Sequence, residues 1–325
     1  MRRPLTTALL RGVLDAGRAW RLIAGLWLAL LLVALPAGLT VFESLRGAIG
    51  ARAVGQELRG AMDLVWLGEY QEAARGIAAT VTAPVLARTA LLVNLEDRWR
   101  GDLVGSPAAL LGLGLLWAAV WIFASGAALD RFLFGSGPPR RAGWAGAGGW
   151  AGAGARHFGR LARLALLSLP AYYAVHRLSA WLFPALEGRL RDVTQERVVL
   201  AWYLAAALGV ALLLGLVELW FDYARVVAVG RDVRSGRRAL TESARWLAAN
   251  PLRAIGLQLA LAAAGGAIVV CWLLLAPAPF ESGWPGVAGV LLLGQLAVVA
   301  RLVVRVGGLA AQSRLYRALS RRSGG

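Results

Sequence analysis

The side chains best placed to do chemistry in this 325-residue chain are a few charges at the edges of long apolar runs. Glu218, Asp222 and Arg225 recur at i, i+4 and i+7, so on a helix they share one face. Arg301 and Arg305, four apart, close another apolar run. Charge taken out of water has to be compensated. The spacing therefore predicts an ion-pair cluster joining two helices, in which Glu218 and Asp222 neutralise Arg301 and Arg305, with Arg225 on the same face. A proton or ion relay would use the same acids. Only Glu218 lies clearly inside an apolar run, however, and no second acid accompanies it at mid-depth.

Covalent and metal chemistry find less to work with. The obvious nucleophile and base are Ser125, in Ala124-Ser125-Gly126, and His176. Their positions within their apolar runs differ in depth by roughly 12 Å at ~1.5 Å per residue, too far for a hydrogen-bonded dyad. His176, beside Tyr172, Tyr173 and Trp181, reads instead as an interfacial residue. The chain has no GxSxG elbow, no HExxH helix and no paired aspartates for head-group transfer. All 35 basic residues are arginine, which excludes a P-loop ATPase, a kinase site or Schiff-base chemistry. The single cysteine, Cys271, forms no intrachain disulfide, and two histidines do not make a histidine-rich metal cage. We expect no catalytic, cofactor or metal site, and do not read the chain as an enzyme.

What must position the charges is a membrane bundle. With 58% apolar residues, 16% charged and a mean hydropathy of +0.61, the chain offers six stretches that meet the need for about twenty apolar residues per crossing. They are 22–42, 107–129, 164–186, 198–221, 254–276 and 285–304. The expected fold is an all-α polytopic bundle of six spans with interfacial amphipathic helices. The first stretch reads as a retained anchor rather than a leader cleaved after Ala37. The net charge of +17 and pI near 11.6 first suggest nucleic acid, but the arginines are sorted by side. Segments 1–21, 130–163, 222–253 and 301–325 hold 24 arginines against 5 acids, while the alternate segments hold 10 against 12. By the positive-inside rule both termini are cytoplasmic. The polyanion faced is then the anionic inner leaflet, and no nucleic-acid partner is expected.

The connections add detail. Residues 1–21 place Leu5, Leu9, Leu10, Val13, Leu14 and Trp20 on one side, an amphipathic helix on the cytoplasmic interface. Residues 43–106 are too few to make a domain and are expected as a helical cap on the outer mouth. Within them 77–95 is apolar, but Arg88 near its centre argues for a helix on the outer face rather than a seventh span. In 130–163, GWAGAG at 143–148 repeats at 149–154, predicting a mobile glycine- and tryptophan-rich loop. Trp144 and Trp150, preceded by Arg140 and Arg141, would anchor it to the leaflet. Residues 222–253 contain an interfacial helix with Leu240, Ala244, Leu247 and Ala248 on its apolar face, then Asn250 as cap and Pro251 opening the next helix. Its Arg237, Arg238 and Arg245 are candidates for docking a protein partner. Residues 305–325 read as a cytoplasmic tail. Gly114 and Ala118, Ala207, Ala211 and Gly215, and Ala262 and Gly266 are small residues spaced for close helix approach, while Pro36 and Pro170 suggest kinks.

Four stretches carry a resemblance: His157-Phe158-Gly159-Arg160-Leu161, Asp222-Tyr223-Ala224-Arg225, Asn250-Pro251-Leu252-Arg253, and the arginine-bearing close from Ala300 to Leu319. From about Arg156 onward the chain resembles a group of uncharacterised bacterial six-span membrane proteins. These are in turn distantly similar to the membrane domain of some glycerophosphodiester phosphodiesterases. The soluble phosphodiesterase domain has no counterpart here, so its activity is not implied. The lysine-free, alanine-, glycine- and arginine-rich composition suits a bacterial inner-membrane protein. The expected role is a non-catalytic scaffold or the membrane subunit of a larger assembly. The alternative is a permease-like transport component docking a cytoplasmic ATPase. A polar cavity lined by Glu218, Gln258 or Gln295 would favour the alternative, and a tightly filled interior the scaffold.

Overall fold

With no water to satisfy its backbone, an apolar stretch of this length folds as helix. Each of the six stretches lies essentially within one helix. The structure is a computed structural model describing residues 3–50, 64–81, 108–135, 147–275 and 284–320. Among these residues the chain is all-α, with α1 (Arg3–Arg18), α2 (Trp20–Gly50), α3 (Leu64–Ala73), α4 (Ala108–Phe134), α5 (Ala147–Leu190), α6 (Glu196–Gly230), α7 (Gly236–Ala249), α8 (Pro251–Leu275) and α9 (Trp284–Ser320). A 3-10 turn, Gly76–Thr80, follows α3. Five helices, α2, α4, α6, α8 and α9, are long and apolar enough to cross a membrane. The 44-residue α5 is not among them, because Tyr172, Tyr173, His176 and Arg177 dilute its apolar stretch.

Helix directions follow from cross-contacts. On α5, Arg160 donates to Asp232 Oδ1 at 2.6 Å and to the Ala228 carbonyl, while at the far end Phe183 stacks on Tyr203. α5 and α6 are therefore antiparallel along their length. The same hydrogen bond holds the Asp232 carboxyl below the ordinary carboxylate range. Asp232 ends the α6 turn with a positive φ of 55°. α9 runs back along α8, with Leu257 against Leu315 and Leu319 at one end and Trp272 against Gly294 at the other.

The core lies at one end of the bundle, where the arginine-rich segments converge. It joins Leu22 and Leu26 of α2, Leu129 and Phe132 of α4, Leu161 of α5, Tyr223 and Val226 of α6, Ala254 of α8 and Val306 and Leu309 of α9. Away from it, leucines such as Leu32, Leu115 and Leu274 are more than 70% exposed, the surface that a lipid solvent covers. α3 and its 3-10 turn form a separate cluster, in which Trp66, Leu67 and Tyr70 meet Val41 and Leu45 of α2. This is the described part of the expected cap. Of the outer helix expected over 77–95, the 3-10 turn Gly76–Thr80 covers the start, and residues 82–95 lie outside the described residues.

Several expectations change. The second GWAGAG copy is not a loop but the first turns of α5, and Trp150, half-buried, meets Phe123 edge-on at 5.8 Å. Trp144, Arg140 and Arg141 lie outside the described residues. A side chain at Gly154 would strike the Phe123 carbonyl at 2.9 Å, so glycine here permits close crossing rather than mobility. The expected tail is helix to Ser320, with Ala310, Ala311 and Leu315 buried. Gly114, Gly215 and Gly266 have nothing within 4 Å of a would-be side chain, so they are not close-approach points among the described residues. Asn250 caps the end of α7 by donating to the Trp246 carbonyl, rather than opening α8 with its side chain.

The amphipathic segment at the start of the chain is α1, and it docks through its small residues. Ala8, Gly12, Ala16 and Ala19 turn inward, whereas Leu10, Val13 and Leu14 are exposed. The small stripe seats on α9, and Arg314 Nε donates to Asp15 at 2.7 Å to lock it. A Cβ at Gly12 would lie 2.8 Å from both Ala311 Cβ and the Gly307 carbonyl. Gly12→Leu should therefore push α1 off α9 and cost about 1–3 kcal/mol, as overfilling of well-filled sites does. Thermal unfolding in detergent, with protease cleavage of α1 as a local readout, checks this.

Candidate functional site

Where the core ends, the bundle is hollow. A cavity of about 810 Å³ lies among α4, α5, α6, α8 and α9. Its lining runs from Val210 to Arg225 on α6, which at ~1.5 Å per residue is roughly 22 Å of depth. Sequence periodicity places the charges in it: Glu218, Asp222 and Arg225 share one face of α6, and Arg301 and Arg305 one face of α9. All five expected cluster residues thus line one cavity.

Their connections are more specific than the sequence suggested. Asp222 pairs with Arg225 on its own helix, Nη1 to Oδ1 at 2.9 Å, with both side chains less than a quarter exposed. Its other oxygen accepts from Gln312 Nε2 at 3.2 Å, so α9 reaches Asp222 through an amide. Gln312 also approaches Gln258 Oε1 at 3.4 Å, which ties α8 into the same network. Arg305 stacks its guanidinium on Trp121, 4.1 Å from the ring centre, a cation–π contact with α4. Arg301 has no carboxylate partner among the described residues. Gln295, the other glutamine considered for the lining, accepts instead from Trp27 Nε1 at 2.8 Å and joins α2 to α9.

The opposite wall is α5. The residues that dilute its apolar stretch, Tyr172, Tyr173 and His176, together with Ser179, face the cavity. Leu169, Leu261, Val304 and Leu309 supply apolar surface between the charges. Ser125 is buried and donates its hydroxyl to the Ile122 carbonyl. Among the described residues no three His, Cys, Asp or Glu side chains gather as a metal site would require.

A second polar cluster escaped the sequence reading. His157 Nε2 lies 2.9 Å from Asp130 Oδ1, both buried, and Arg156 approaches the other carboxylate oxygen at 3.7 Å. Gly126 and Gly154 stand one turn from these residues and let α4 and α5 come close, with His157 Cβ 3.0 Å from a would-be side chain at Gly126. That small-then-polar spacing was the available signal, hidden by treating 143–154 as a loop. On the neighbouring α7, Arg237 and Arg245 are exposed, whereas Arg238 is held by Glu242 at 2.8 Å. The inward face of α7 is Ala239, Ser243 and Trp246, and Trp246 stacks on Tyr223 and lies against Tyr316.

No protein-family model matches the chain, and no curated protein or solved structure matches it at a significant level. Function is therefore read from the cavity.

Proposed function

We propose that the chain is the membrane-embedded component of a transport system, with a central cavity that binds a polar ligand within the bilayer. The observation that carries this is the cavity itself: about 810 Å³ bordered by three arginines and two carboxylates at the level of the spans. A structural scaffold gains nothing from exposing charge there, where each ion is costly, and intramembrane ionisable residues usually mark ligand pathways. The volume falls in the range of small-ligand sites.

In this reading α5 supplies a sixth crossing. It pairs with α6 from Arg160 at one end to Phe183 at the other, so it traverses whatever depth α6 traverses. Six crossings bring both termini to one side, and the contact of α1 with the last turns of α9 supports that. The arginine excess makes that side cytoplasmic in a bacterial inner membrane. The exposed arginines of α7 would then face a cytoplasmic partner such as an ATPase.

Thiol accessibility tests the cavity. In a Cys271→Ser background, Ser179→Cys and Ala262→Cys line it, whereas Leu208→Cys is exposed on the bundle exterior. A membrane-impermeant maleimide should label the first two in intact membranes at least ten times faster than the third. Equal protection of all three would overturn the proposal.

A further inference from the structure

Resting on that reading, we propose that the ligand is a singly charged oxyanion, a phosphodiester or a carboxylate, gripped by Arg301 and Arg305 of α9. The cavity wall carries Arg225, Arg301 and Arg305 against Glu218 and Asp222, one positive charge in excess. Asp222 is already committed to Arg225 and Gln312. The excess therefore falls toward α9, where Arg301 has no carboxylate partner among the described residues. In a medium that screens poorly, a site of this kind is completed by an anion.

The geometry narrows the class. Arg301 and Arg305 are one helical turn apart, which puts their Cβ atoms ~5–6 Å from each other. Two guanidinium forks at that spacing can close on the oxygens of one phosphate or carboxylate, and five N–H donors per fork leave room for more than one acceptor. Trp121 lies against the Arg305 guanidinium and helps to hold it in place. A dianion would overshoot the single excess charge, and a cation would meet the wrong sign.

Beyond the arginines the lining turns apolar, with Leu261, Val304 and Leu309 facing the cavity. Gln312, seven residues and roughly 10 Å from Arg305 along the helix, closes this end, its amide hydrogens serving Asp222 and Gln258. The ligand then carries an anion at one end and apolar bulk beside it. Such a molecule arrives either from the bilayer as a phospholipid headgroup or from water as a small organic acid or diester.

Equilibrium binding to the full chain in phosphatidylcholine nanodiscs tests this. The probes are dihexanoyl-phosphatidylglycerol, glycerophosphoglycerol, 10-hydroxydecanoate, sulfate and choline. The monoanions should bind saturably. Arg301→Gln and Arg305→Gln should each weaken them at least tenfold, Arg301→Lys less, and Arg191→Gln, on the distant α5–α6 turn, not at all. Thermal unfolding of each variant separates lost binding from lost folding. Binding of the lipid probe alone assigns the ligand to the bilayer, and binding of the soluble monoanions assigns it to water. Preference for sulfate or choline, or monoanion binding untouched in the folded double variant Arg301→Gln/Arg305→Gln, overturns the proposal while leaving a thiol-accessible cavity intact. The same holds if no probe binds. Protection of the cavity cysteines would remove the transport reading as well.

Discussion

Asp222→Ala is expected to destabilise the bundle by about 3–5 kcal/mol, the range seen when one partner of a buried ion pair is removed. Arg225, 22% exposed and 2.9 Å from Asp222, would be left as an uncompensated cation on the cavity wall. The Gln312 amide would lose its 3.2 Å acceptor, and with it the link between α6 and α9. Asp222→Asn should cost less, because it can still accept from Gln312. The double variant Asp222→Ala/Arg225→Ala should recover at least ~1 kcal/mol relative to Asp222→Ala alone, since it removes the orphaned charge too. Reversible unfolding in mixed micelles measures all three against the unmodified chain. A double variant no more stable than Asp222→Ala would show that the pair is not coupled.

Trp246→Ala is expected to be equally damaging, at about 3–5 kcal/mol. Trp246 stacks on Tyr223 of α6 at 4.5 Å between centroids and reaches Tyr316 of α9 at 5.4 Å, so one indole fastens α7 to two spans. Its loss would open a large void in the core end of the bundle. The indole nitrogen finds no acceptor among the described residues, so the ring holds by shape and stacking and not by a hydrogen bond. Trp246→Phe should accordingly keep most of the stability, with a cost below about 1.5 kcal/mol for a smaller ring in the same place. Melting temperatures of the purified variants decide this. A Phe variant as unstable as the Ala variant would point to a polar role for the indole.

The helical nature of the six apolar runs was legible because hydrocarbon leaves the backbone no other partner, and that pressure acts on each run by itself. The convergence of Glu218, Asp222, Arg225, Arg301 and Arg305 on one wall was legible for a similar reason. Each set follows a helical repeat within its own segment. What periodicity does not encode is the register of one helix against another. Gln312 rather than an arginine answers Asp222 because of how α9 lies beside α6. The pairing of His157 with Asp130 likewise depends on a close crossing of α4 and α5. The docking face of α1 was hidden for another reason. In water the large apolar face of a helix goes inward, but beside a membrane lipid can take it, and the small face of Gly12 and Ala16 does the docking.

The lock between Asp15 and Arg314 spans 299 residues. At ~5–20 residues per second of synthesis, roughly 15–60 s pass between the two reaching the membrane. For that interval α1 has no α9 to sit on, and its exposed leucines offer a face that a lipid surface can take. The first helix of the chain thus waits for the last, and its docking contact can form only once α9 has been made.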